Sequence, residues 1–474
     1  MGNSPRPAGR FPAALLIALL AGLGGCRPPA GSALDVIVVG EPDAPFAEGP
    51  RLPLAAQLVR SAAAEGLVAL DEQGQVIPAM ADRWIVTDDG AGYIFRLRDG
   101  TWADGTPLSG ETAVVALRRA LAQIAGTPLA LDLADIDEIR AMAGRVVEIR
   151  LRRPVPDLLQ LLAQPELGLF HHGRGSGPMQ LVRDGPVARF SGFRTGRGGQ
   201  EPVDPDAPAF RDLRLRALPA LAATRAFAEG QVPLVLGGRF EDLPLARAVA
   251  GLSQRALRLD PAQGLFGLAV VAGDGPLAAP ELREALAMAI DREALGEALG
   301  LAGWVALTEP IPLDPAAGES GSDTGSDGAA GAAPRSAVLP ATVLKDVAAA
   351  ANRAAGRAGG ADWNALAPAE RQARAAQRIA RWKARFGPVP ALRLALPAGP
   401  GADLLFARLA GDFAAIGVPL ARVAEAAPAD LRVLDLVARY PRAGWYLNQL
   451  SCAARRTICS PDADASLAAA RAAP

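Results

Sequence analysis

Lysine is nearly missing from this 474-residue chain: Lys345 and Lys383 are the only two, so almost all of its positive charge is arginine. The formal net charge is -1, which argues against the basic footprint of a nucleic-acid binder and against an acidic tail. Histidine is as scarce, with His171 and His172 adjacent in a Gly-rich stretch and no others. A Ser-His-Asp catalyst would have to use one of them, and no G-x-S-x-G elbow is present. Neighbouring loop residues are expected to point apart, so a metal pair is not expected. Gly173 to Gly177 lacks the strand, Lys and Ser/Thr of a phosphate-binding loop. These absences read as a protein that is not an enzyme and has neither metal nor cofactor. Beyond the N-terminus no apolar run is long enough to span a bilayer, which takes roughly 20 residues.

The first 26 residues carry the sharpest signal. Arg6 and Arg10 form a positive start, Phe11 to Leu23 is an apolar stretch, and Leu23-Gly24-Gly25-Cys26 closes it. That length suits a signal peptide and not a span. L-G-G-C is similar to the lipobox of bacterial lipoproteins. The resemblance implies cleavage before Cys26 and a diacylglyceryl group on its thiol; the alternative is an ordinary secretory signal with an incidental cysteine. Loss of Arg6 and Arg10 would take the net charge from -1 to -3. Cys452 and Cys459 then remain, and an even pair in an exported chain reads as a disulfide closing a short loop. Two free thiols are the alternative; a metal site is disfavoured by the lack of a nearby histidine.

Residues 27–33 read as a Pro- and Gly-rich tether. Leu34 to Val39 is a β-rich run, and Trp84–Val86 and Tyr93–Leu97 flank a turn at Asp88-Asp89-Gly90. Tyr93, Phe95 and Leu97 are expected on one face. A helix is predicted from an N-cap at Ser109 to Ile124, with Val114, Leu117, Leu121 and Ile124 on its buried stripe. Val146 to Leu151 alternates as a strand, and Pro280 opens a helix that buries Leu282, Leu286, Ala289 and Ile290. Residues 315–336 are Gly, Ser, Asp and Ala, a composition that cannot offset its ordering entropy and reads as disordered. An Arg-rich helix over 366–386 follows, then strand 391–396, helix 402–416, and strands near 418–424 and 431–437. The fold class is α/β.

Residues 65–121 hold EGLVALDEQGQVIPAMADRW and then TDDGAGYIFRLRDGTWADGTPLSGETAVVALRRAL. In order, spacing and residue type they resemble the opening lobe of the family 5 extracellular solute-binding proteins, the oligopeptide, dipeptide and nickel-binding family. Weaker anchors follow in the same order: Gly175-Ser176-Gly177-Pro178-Met179, then Phe227 to Leu234, then LREALAMAIDREAL over 282–295. The resemblance implies a two-lobed, periplasmic-binding-protein-like fold with an extra subdomain in the first lobe. It also implies a small-molecule or peptide ligand held between the lobes, an ABC permease in the inner membrane as partner, and a monomer lipid-anchored in the periplasm to the inner or outer membrane. The boundaries that follow are a signal peptide over 1–25, a tether over 26–33, and a first lobe from 34–60, 175–255 and 446–474. The subdomain is 61–174, and the second lobe is 256–445 with the insertion 315–336.

Two departures from the family pattern matter. Where the pattern has W..DYPDP, with an acidic residue for a peptide's α-ammonium, this chain has Ala438-Arg439-Tyr440-Pro441-Arg442-Ala443-Gly444-Trp445. A guanidinium favours a carboxylate or phosphate, so Arg439 and Arg442 point to an anionic, peptide-like ligand. Tyr440, Trp445 and Tyr446 would line its pocket, or else form a lobe-interface core. Ser460 to Pro474 resembles a helix after which the family continues, so the first lobe is expected to be incomplete. A fold that has lost transport and serves as a receptor or scaffold is the alternative function.

Overall fold

In a computed structural model the described residues are 33–193, 212–301 and 366–472, apart from positions 156, 254, 261–262, 302–303 and 441–442 and with Trp304, Ala306, Leu307 and Trp363 in addition. The signal segment with Cys26, most of the tether, the insertion at 315–336 and Arg442 lie outside them.

Among the described residues three sheets of four or five strands organise the fold, beside two small two-stranded ones. The first lobe has five strands in the order Met179–Asp184, Val187–Phe193, Leu213–Leu218, Leu34–Val39, Leu234–Leu236. Leu34–Val39 runs parallel to both its neighbours, and the first two strands form an antiparallel hairpin. Adjacent residues of a strand face opposite ways. Val38 accordingly packs with Ala55, Val59 and Phe190 on one side of the sheet, and Ile37 with Ala223 and Val232 on the other. A strand buried on both faces reads as an unbroken apolar run, which is why LDVIVV shows no alternation.

The subdomain is a four-stranded antiparallel sheet in the order Ala81–Val86, Gly92–Leu97, Val146–Leu151, Ile136–Ala141. Tyr93, Phe95 and Leu97 are buried and Arg96 is exposed, the alternation expected of a half-buried hairpin. Helix Gly110–Gln123 covers that face with Val114, Leu117 and Ala120. Ser109 caps it: the Ser109 Oγ accepts from Thr112 N at 3.3 Å while Thr112 Oγ1 accepts from Ser109 N at 3.2 Å. Ser109→Ala is expected to cost about 1 kcal/mol of stability, read as a lower urea midpoint.

The second lobe has four strands in the order Gly264–Val270, Leu431–Val437, Leu392–Leu396, Leu420–Ala424. Its core joins Leu394 and Leu396 to Leu282, Leu286, Ile379, Leu405 and Phe413 from helices Pro280–Ala289, Pro368–Phe386 and Pro400–Ala415. The long Arg-rich helix thus buries a narrow stripe and leaves its arginines mostly outward. Between its sheets the chain passes out of the first lobe after Leu234–Leu236 and back after Leu431–Val437. No helix among the described residues is long and apolar enough to cross a membrane.

Candidate functional site

The outward crossing begins at Gly237 and Gly238, whose φ values of 82° and 90° turn the chain in a way β-branched residues resist. Arg239, Phe240, Glu241 and Asp242 follow. Phe240 enters the second lobe's core, edge-on to Phe266 at 5.2 Å. The Glu241 carbonyl accepts from Gly401 N at 3.0 Å, and a Cβ on Gly401 would lie 2.0 Å from the Phe240 oxygen, so only glycine permits this docking. Arg239 Nε donates to Asp435 Oδ2 at 3.0 Å on the returning strand, and Arg239 N donates to Asp242 Oδ2 at 3.0 Å. Burial depresses the Arg239 pKa, but the charge and hydrogen bond of Asp435 together with the charges of Glu241 and Glu425 outweigh it and the net shift is upward. Glu241 is less fortunate. Its side chain is 12% exposed, Arg239 is 3.9 Å away, and its Oε2 has no hydrogen-bond partner. Burial therefore pushes the carboxyl up to about 7, and the neighbouring Asp242 is also raised by burial.

The return crossing carries the residues singled out in the sequence. Arg439 Nη1 donates to Glu166 Oε1 at 2.6 Å; Glu166 is buried in the turn Pro165–Leu167 of the subdomain, and Arg439 is 32% exposed. The Tyr440 hydroxyl donates to Asp132, also buried. Trp445 and Tyr446, on helix Ala443–Leu450, meet edge to face at 4.9 Å and belong with Tyr440 to the subdomain's core. Four of the five predicted ligand residues are thus brought together at the junction of crossing and subdomain, three of them as buried aromatics; the fifth, Arg442, is outside the described residues.

The next stretch joins the expected cysteine pair to arginines the sequence reading passed over. Cys452 and Cys459 stand at bonding distance, with Cα atoms 5.1 Å apart. The loop they bracket touches both lobes: Ala454 O accepts from Arg51 Nη2 at 3.2 Å, while Ile458 N and Thr457 Oγ1 donate to Val270 O at 2.7 and 2.9 Å. Within it Arg456 has a lowered pKa, through burial first and the positive charge of Arg51 second. Its Nε is buried without a partner. A guanidinium short of a hydrogen bond and under a second positive charge is chemically suited to an anion. The Arg455-Arg456 doublet between two cysteines was visible in the sequence, but Arg51, some 400 residues away, was not.

One sequence expectation is corrected here. His171 and His172 do not point apart: each presents Nδ1 to the same oxygen, Asp104 Oδ2, at 2.8 Å. The cause is the backbone of His172, whose φ of 47° lies in the left-handed region and folds its ring back beside that of His171. The ring centroids are 4.0 Å apart. Asp104 also accepts from Thr106 N, and that bond together with the one from His171 holds its carboxyl well below the usual range.

A model of a protein family described as bacterial extracellular solute-binding proteins, family 5 middle, matches residues 75–352, more than half of the chain. Among curated proteins, the probable deoxycholate-binding periplasmic protein YgiS of Escherichia coli is 38% identical over 121 residues, 22% of this chain and 23% of that protein. The match thus spans under a quarter of the length of that relative, and the same holds for the periplasmic oligopeptide-binding protein OppA of Escherichia coli, 31% identical over 119 residues, 21% of this chain and 22% of that protein. Among solved structures, Haemophilus influenzae OppA in complex with the peptide RPPGFSPFR is similar with a TM-score of 0.67 at 15% identity, covering 94% of this chain and 88% of that one. At that identity the likeness speaks for fold alone: two lobes, α/β, with the extra subdomain in the first.

Proposed function

That the chain belongs to the family 5 bacterial extracellular solute-binding proteins, which are binding proteins and not enzymes, is the premise from which we propose that it captures a small anionic or peptide-like solute between its two lobes and hands it to an ABC permease. In this reading the mature chain is a monomer tethered in the periplasm through a lipid on Cys26, with Cys452 and Cys459 joined as a disulfide. Two crossings act as the hinge, the outward one at Gly237–Asp242, ahead of the limit at 255 expected from the sequence, and the return one after Leu431–Val437.

The observation that carries the choice of ligand class is Arg456 in the loop that touches both lobes, under the charge of Arg51, which is hydrogen-bonded to that loop. A carboxylate placed there would relieve the repulsion and supply the partner that Arg456 Nε lacks. Relatives are named for deoxycholate and for peptides, and both of these classes carry a carboxylate. Arg439 and Arg442 remain part of the proposed site, with Tyr440, Trp445 and Tyr446 as its apolar wall. The engagement of Arg439 by Glu166 favours one second reading, a fold that has lost transport and acts as a receptor or scaffold.

Thermal-shift titration of the mature chain against deoxycholate, free peptides and C-terminally amidated peptides tests this. A carboxylate ligand at 100 times its dissociation constant should add about 2.7 kcal/mol of stability. Arg456→Ala should lose most of that gain while the ligand-free protein melts no lower, because the substitution removes a repulsion. A ligand shift that is indifferent to amidation and to Arg456→Ala would sink the anionic reading; no shift with any of these ligands would favour the receptor.

A further inference from the structure

We propose that Asp104, His171 and His172 form a binding site for a borderline divalent transition-metal ion of the Zn2+, Ni2+ and Cu2+ class. The site lies on the subdomain, and the proposal does not depend on the ligand reading given above. Three potential ligand atoms, two imidazole nitrogens and one carboxylate oxygen, lie within 4.8 Å of one another. Both imidazole nitrogens are already 2.8 Å from the carboxylate oxygen. In a tetrahedral complex with metal–nitrogen distances of about 2.0–2.1 Å, ligand atoms stand about 3.3 Å apart. Both imidazole nitrogens would have to draw about half an ångström away from the carboxylate oxygen to admit the ion.

Each of the three ligands is held by the structure around it, with Trp102 supporting two of them. Asp104 is fixed in a tight turn in which Trp102 N donates to Thr106 O at 2.8 Å, Gly105 N to Trp102 O at 3.0 Å and Thr106 N to Asp104 Oδ1 at 3.0 Å. Trp102 anchors that turn, being fully buried with its Nε1 donating to Thr112 Oγ1 at 2.9 Å. His171 lies in the short strand Phe170–His171, paired with Arg174–Gly175, and stacks on Trp102 at 5.1 Å. His172 is held by its left-handed backbone, a conformation uncommon outside glycine that histidine, like Asn and Asp, adopts more readily than most residues.

Donor chemistry sets the class of ion. Two imidazoles and a single carboxylate suit borderline first-row ions, whereas Mg2+ and Ca2+ need more oxygen ligands than this cluster offers. The His172 side chain is 76% exposed, so the remaining coordination positions face water. Three protein ligands with an open position describe a site that can exchange its ion or accept an outside ligand, unlike a closed structural zinc site.

The chain's two histidines make the test clean, because any imidazole-dependent binding must occur here. Metal-stripped mature protein, free of any histidine tag, would be titrated calorimetrically with ZnCl2, NiCl2 and MgCl2. Saturable one-to-one binding of Zn2+ and Ni2+, without binding of Mg2+, is expected. Nickel should also quench the fluorescence of Trp102 through the stacked His171. Losing an outer-shell partner costs roughly 10–100-fold in affinity, and losing a ligand no less. His172→Ala and Asp104→Asn should therefore weaken Zn2+ binding at least about tenfold. His172→Gly keeps the left-handed backbone while removing the ring, so it separates ligation from folding; it too should lose the metal with an unchanged melting temperature. Equal Zn2+ affinity in wild type and His172→Gly, or no saturable binding by the wild type, would overturn the proposal.

Discussion

Arg439→Ala is expected to lower the unfolding free energy by about 3 kcal/mol, measured as a drop in the urea midpoint at unchanged slope. Breaking a buried ion pair by removing one partner costs about 3–5 kcal/mol, because the remaining charge stays desolvated and alone. Glu166 is the buried member here, at 6% exposure, and Arg439 is the more exposed one at 32%. Two features place the effect at the lower end. Solvent reaches part of the guanidinium, and Arg60, stacked over Phe170 at 5.2 Å, also feels the Glu166 charge. Glu166→Gln added to Arg439→Ala should recover a large part of the loss, since no buried charge is then left. A residue that served only a bound anion would behave otherwise: Arg439→Ala would leave the ligand-free protein as stable as before and weaken only anion binding. The double variant therefore separates an arginine that fastens the crossing to the subdomain from one that waits for ligand.

The same pair shows why part of this molecule could be read from its sequence and part could not. Helix Gly110–Gln123 was legible because Ser109 caps it and its apolar residues recur at helical spacing, both local facts. The hairpin of Ala81–Val86 with Gly92–Leu97 was legible for the same reason, through a turn signal and an alternation of period two. Pairing Arg439 with Glu166, or Tyr440 with Asp132, joins positions 273 and 308 residues apart, and no periodicity encodes which buried acid meets which donor. The Arg439 and Tyr440 segment was flagged by its departure from a family pattern, which gave position but not partner. His171 and His172 failed in the opposite way. The rule that loop neighbours diverge assumes an ordinary backbone, and the φ of 47° at His172 suspends it.

Glu241 yields the other large effect, and its sign is opposite to that of an ordinary ion-paired carboxylate. The folded protein raises this carboxyl from 4.5 to about 7, chiefly through burial. A group that binds its proton more tightly when folded favours folding at low pH. Stability is therefore unaffected below about pH 4.5, declines as pH rises from there to about 7, and is level above it. A shift of that size amounts to about 3 kcal/mol between the two plateaus, as an order of magnitude. The groups facing it are Arg239, which partly offsets the penalty, and Asp242 and Asp435, which add to it. Glu241→Gln keeps the shape and removes the titration. It should melt higher than wild type at pH 8, match it at pH 4, and show a flatter midpoint-against-pH curve between. The consequence reaches beyond stability, because Glu241 sits where the outward crossing docks through Gly401 and where Arg239 reaches Asp435 on the returning strand. A charge left unsolvated at that joint loosens both crossings together, so above pH 7 the lobes should separate more readily than at pH 5. Small-angle scattering of wild type and Glu241→Gln at the two pH values measures this, and identical pH responses in the two proteins would remove Glu241 as the cause.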